Sequence, residues 1–138
     1  MSTSAYDDTS GTAVRGPRPL MERLMAFSLA DEIAELRAEP QYQDGDRTSR
    51  MLAKDVDLRV LLTALRTGAA LDDQDGDSRV SVQVLDGSVT LDLHGESADL
   101  EPGELAVIDA GNPWVLRART DSAVLLTIAW PPEKVDVG

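Results

Sequence analysis

No cysteine occurs among the 138 residues, and histidine occurs once, as His94. Disulfides and thiolate chemistry are therefore excluded, and nucleophile–histidine or histidine-based metal chemistry has nothing to build on. The lack of cysteine suits a reducing compartment, and a cytoplasmic location is expected. Basic residues are also few: 13 stand against 25 acidic ones, for a net charge of −12. Binding a phosphate backbone needs a basic surface, so nucleic acid is not an expected partner. No apolar run reaches membrane-spanning length, and Asp55 and Asp57 interrupt the region before the longest one. The N-terminus lacks the basic segment and apolar core of a signal peptide, and no membrane partner is expected.

The chain has room for one domain with a sizeable core, and a hydrophobic fraction of 42% fits a globular protein. Residues 1–18 are rich in Ser, Thr, Asp, Gly and Pro, so a disordered tail is expected there. Residues 19–40 read as a helical segment. Met21, Leu24 and Met25 share one face of a short turn over 19–26, and Ser28 caps a clearer helix carrying Leu29, Ile33 and Leu36 at helical spacing. Pro40 is expected to end that helix. A β-domain over 41–132 follows, with a C-terminal tail at 133–138. Residues 41–46 read as a loop. Arg47 to Lys54 reads as a strand that places Arg50 and Lys54 on one side by alternation. Leu58 to Leu65, nearly all apolar, suits a strand buried on both faces or one lying in a homodimer interface.

From Arg79 to Trp130 about five short apolar runs alternate with turn residues: 80–84, 89–93, 105–108, 114–118 and 123–130. This spacing indicates an all-β, antiparallel sandwich or barrel. Glycines 68, 87, 103 and 111 stand where tight turns need positive φ.

These glycines and their spacing resemble the cupin superfamily, whose two motifs are G-x5-H-x-H-x(3,4)-E-x6-G and G-x5-P-x-G-x2-H-x3-N. The first lies on Gly68 to Gly87 and the second on Gly103 to Ala118, with Asp109 at the Pro position and Gly111 matching. The resemblance implies a double-stranded β-helix, or jelly-roll, barrel preceded by an N-terminal helix, and a homodimer as the usual assembly. It also implies a divalent metal held inside the barrel by three His and one Glu. Here those four positions carry Gln74, Gly76, Val80 and Trp114. Val and Gly offer no donor atom, and the indole nitrogen carries a hydrogen rather than a lone pair. One weak ligand does not hold a transition metal, which needs three or four N, O or S donors. No metal and no other cofactor are expected, and dioxygenase or metal-isomerase activity is not.

The expected site is instead an organic-ligand pocket. Trp114, Leu116 and Val80 should project inward, with Gln74 and the cations Arg47, Arg50 and Lys54 orienting a small molecule. Trp114 either plugs the barrel as core or forms the aromatic wall of that pocket. His94 reads as an exposed hairpin-turn residue, and Trp130 as a packing or interface residue. Asp73, Asp75 and Asp77 read as a solvated acidic loop that fails the EF-hand pattern, with weak cation binding as the alternative. Three functions remain open: metal-independent small-molecule binding in a regulatory or accessory protein, a cofactor-free isomerase, cyclase or lyase with Asp92 as the carboxylate to check, and a structural homodimeric module.

Overall fold

The structure, a computed structural model, describes residues 23–72 and 77–130. The order of elements is α1 (Leu29–Arg37), α2 (Pro40–Gln43), β1 (Arg47–Lys54), β2 (Leu58–Leu65), β3 (Ala70–Asp72), β4 (Arg79–Asp86), β5 (Val89–Leu93), β6 (Glu96–Leu100), β7 (Leu105–Ile108), β8 (Val115–Ala118) and β9 (Ser122–Ala129). The strands form a five-stranded sheet, β1-β2-β9-β4-β7, and a four-stranded sheet, β3-β8-β5-β6, with every pairing antiparallel. No described helix is long and apolar enough to cross a membrane.

Alternation along the strands divides the apolar residues between two cores. Val80, Val82, Val84, Val124 and Leu126 of the larger sheet meet Val89, Leu91, Leu116 and Ala118 of the smaller one in the barrel interior. On the outer face of the larger sheet, Leu52, Leu62 and Ala64 pack with Leu36 and Tyr42 of the two helices. The second half of β2 thus buries both faces, since Leu62 and Leu65 point to opposite cores and are fully covered. The doubly buried strand expected for Leu58–Leu65 is found over its second half, while residues 58–61 are only partly buried.

The N-terminal segment departs from expectation in three ways. Ser28 does cap α1, accepting from the Asp31 amide at 3.3 Å, an interaction of about 1 kcal/mol. Residues 23–28, however, are not helical, so the helical turn expected over 19–26 is absent in its described part; residues 19–22 and the 1–18 tail lie outside the described residues. Pro40 begins α2 rather than merely ending α1, because a missing N–H costs nothing at the first helical position. The expected loop at 41–46 therefore begins as helix.

β1 contains the departure with the largest consequence. Its register with β2 shifts between Met51 and Ala53, a β-bulge. Arg50 pairs with Leu62, on the helix side, whereas Lys54 pairs with Arg59, which shares the barrel side with Leu61 and Leu65. One inserted residue reverses the alternation. Arg50 and Lys54 consequently face opposite ways. β6, with four exposed residues followed by buried Leu100, is an edge strand without an apolar rhythm and was not expected as a strand.

Candidate functional site at the open end of the barrel

The barrel has two unlike ends. At one, the turns 66–69, 86–88, 101–104 and 119–122 interlock by hydrogen bonds. At the other stand the turns 55–57, 94–95 and 109–114 and the start of β4.

Trp114 enters this second end just before β8. It is 6% exposed and packs in the interior with Val80, Ile108 and Leu116. The inward direction expected for Trp114, Leu116 and Val80 is the one found. Its Nε1 is buried with no hydrogen-bond partner, and such an orphaned donor costs about 1–3 kcal/mol. The ring also walls an open cleft of about 310 Å³ shared with Asp72, Asp92, Leu93, His94, Gly95, Pro113 and Val115. Trp114 is therefore core and pocket wall at once.

His94 and Gly95 form the two-residue turn between β5 and β6, with φ of +50° and +83°. Paired positive φ values are those of a type I′ turn. For a histidine this left-handed conformation costs about 1–2 kcal/mol, offset in part by a bond to Asn112, Nε2···Oδ1 3.2 Å. Asn112 spends its Nδ2 hydrogens on Asp109 O (3.1 Å) and Ala110 O (3.2 Å). Its Oδ1 then accepts the bond from His94 Nε2–H, which leaves Nδ1 outside this contact. His94 is an exposed turn residue, as expected, yet it also lines the cleft. Asp92, on the outer face of β5, lines it too, accepting from Ser97 Oγ.

The remaining expected pocket residues do not gather here. Arg50 lies on the helix side, where its guanidinium meets Glu32 and Glu35 at 2.7 Å and Glu39 at 2.9 Å. Burial opposes the charge, but hydrogen bonds to Glu35, Glu32 and Glu39 outweigh it and hold the pKa above its ordinary value. Arg50 is a clasp between α1 and β1, not a pocket residue. Arg47 sits at the interlocked end, where Nη1 donates to Ala70 O at 2.8 Å, far along β1 from the cleft. Gln74, with Gly76, Asp73 and Asp75, lies outside the described residues. Lys54 does reach the open end, but on the larger sheet and beside a cation not foreseen. Arg59 stacks over Trp130 at 4.5 Å, with Nε buried and unpartnered. Counting alternation back from Leu65 and Leu61 would have placed Arg59 on the barrel side.

Two of the four positions that bind metal in the resembled family are described. Val80 has no donor and Trp114 offers only an N–H, so neither fits a divalent ion. Among the described residues no group of three His, Cys, Asp or Glu is placed to hold one.

No family model matches the chain, and no curated protein matches it. Solved structures do. A conserved protein of unknown function from Streptococcus pyogenes superposes with a TM-score of 0.65 at 21% identity, over 88% of this chain and 99% of its own. A cupin superfamily protein from Desulfitobacterium hafniense gives 0.59 at 14% identity, over 62% and 78%. A mutant of salicylate 1,2-dioxygenase from Pseudoaminobacter salicylatoxidans gives 0.62 at 18% identity, over 76% of this chain but 34% of the enzyme. Proteins of such different description share the architecture, so likeness at this level carries the fold and not an activity. With two antiparallel sheets closing on one core and glycines 68, 87, 103 and 111 at positive φ where the motifs need them, the chain has the jelly-roll fold of the cupin superfamily.

Proposed function

We propose that the protein binds a small organic molecule without a metal, in the cleft walled by Trp114, as an accessory or regulatory module rather than as a metal-dependent enzyme. The observation that carries this reading is the cleft itself: an aromatic wall with Asp72, Asp92 and His94 around it. An apolar surface with a few convergent polar groups is what ligand sites are made of. The acidic rim selects a ligand that donates hydrogen bonds, a hydroxyl- or amine-bearing compound, over an anion. A ligand acceptor seated against the ring would, after a small side-chain shift, also relieve the orphaned Trp114 N–H. Ligand-observed NMR of small polyols and amines with EDTA-dialysed protein tests this. Binding that persists without metal and weakens in Asp92→Asn and Trp114→Phe is expected. Binding seen only after a divalent ion is added would sink it.

A second reading is supported by the Asn112–His94 bond. An imidazole held through Nε2, with Nδ1 left for a substrate proton and a carboxylate lining the same cleft, is equipped for general base catalysis, as a cofactor-free isomerase or lyase requires. Solvent deuterium exchange into small hydroxy-ketones, followed by NMR, should then depend on His94; equal exchange by wild type and His94→Gln would dismiss it.

A further inference from the structure

We propose that Lys54, Arg59 and Trp130 form a second site, one that takes a small oxyanion: a carboxylate or phosphoryl group carried by a small molecule. It is independent of the cleft beside Trp114, lying at the same end of the barrel but on the larger sheet.

The bulge in β1 sets Lys54 directly opposite Arg59 in the antiparallel register. Side chains so paired have Cβ atoms about 5 Å apart, and like charges there repel. The chain carries 25 carboxylates against 13 basic side chains, so a neutralising partner would be easy to supply. Several arginines have one: Arg37 meets Asp86, Arg50 three glutamates, Arg79 Asp109, and Arg119 Asp99 and Glu101, while Arg66, stacked on Tyr42, donates to the carbonyls of Tyr42 and Gln43 instead. Among the described residues neither Lys54 nor Arg59 has an acidic partner, although the adjoining turn contains two aspartates. Asp55 turns its Oδ1 to the Val56 amide at 2.8 Å instead.

Arg59 is also held in place. Its guanidinium lies 4.5 Å over the Trp130 ring, and Trp130 is fixed by its amide, which donates to Asp57 O at 3.1 Å. Stacking on an aromatic face orients the guanidinium while leaving its in-plane edge for hydrogen bonds. With Nε buried and unpartnered, the cation is partly desolvated without a counter-charge, a state that costs free energy until an anion arrives. A fork of N–H donors beside an ammonium matches an oxyanion, which accepts from both and separates the two positive charges.

Proton–nitrogen correlation NMR of the wild-type protein, at fixed ionic strength, tests the proposal. Succinate and inorganic phosphate are the probes and sodium chloride the control, because non-specific attraction is screened by any salt. The expected result is a saturable shift of the Trp130 indole N–H, assigned with Trp130→Phe, for at least one probe. Which probe saturates tells carboxylate from phosphoryl sources. Affinity should fall about tenfold or more in Arg59→Gln and in Lys54→Gln. The proposal is overturned if neither probe does more than chloride, or if folded Arg59→Gln binds as tightly as wild type. Should Arg59→Gln not fold, unchanged affinity in Lys54→Gln overturns it equally.

Discussion

The two ends of the barrel are built from the same kinds of residue and finished differently. At the interlocked end every turn is tied to another. Asp121 accepts from both the amide and the hydroxyl of Thr67, at 2.8 and 2.9 Å; Ser122, fully buried, donates to Thr120 O at 2.7 Å; Ser88 bonds Glu101 at 2.7 Å. Polar groups there meet polar groups of the same chain. At the open end two donors, Trp114 Nε1 and Arg59 Nε, are buried without partners, and two cations face each other. Native proteins satisfy nearly all buried polar groups; the remaining exceptions among the described residues belong to Arg37, which faces Asp86 beside the interlocked end, so what sets the open end apart is its facing cations and the orphaned Trp114 donor.

The contrast can be broken from either side. Trp114→Ala should have the largest effect, about 3–5 kcal/mol of stability by urea denaturation, because it empties a core position. Trp114→Phe should stay within about 1 kcal/mol of wild type, since it keeps the ring and removes the orphaned donor. At the interlocked end, Gly87→Ala should cost about 3 kcal/mol: φ there is +80°, and a Cβ would run into Asp121 O and Ser122 Oγ. A pair of arginine variants sharpens the same point. Arg50→Gln leaves three carboxylates facing one another and should cost about 2 kcal/mol, between the values for exposed and buried pairs. Arg59→Gln removes a repulsion and should leave the ligand-free protein as stable as before. The smallest effect concerns pH. Hydrogen bonds from the Thr67 amide and then its hydroxyl hold the Asp121 carboxyl below its ordinary value of 3.8. That contribution is complete above pH about 4 and is lost as pH falls through the lower, folded-state value. Asp121→Asn, which cannot titrate, should flatten the acid limb of the stability profile.

Much of this was legible in the sequence. The strand rhythm from 79 to 130, the turn glycines and the inward Trp114 all follow from alternation and φ constraints that act locally. What was not legible depends on events that alternation does not encode. The bulge between Met51 and Ala53 turned Lys54 to the barrel and left Arg50 to the glutamates of α1 and to Glu39 at the start of α2, so two residues expected on one side of the strand ended on opposite faces. β6 lacks an apolar rhythm because it is an edge strand with little to bury. His94 read as a turn residue is correct, but its place beside Trp114 comes from the β5–β8 pairing, Asp92 opposite Val115, which is a long-range contact. Arg59 lies within reach of parity counting, two and six residues before Leu61 and Leu65 on the barrel side.

The central proposal is that this barrel binds a small molecule without a metal. Elemental analysis of protein purified without chelator tests that most directly. The account predicts far less than one transition-metal ion per chain, with ligand binding unchanged by EDTA. One tightly held ion per chain would contradict it.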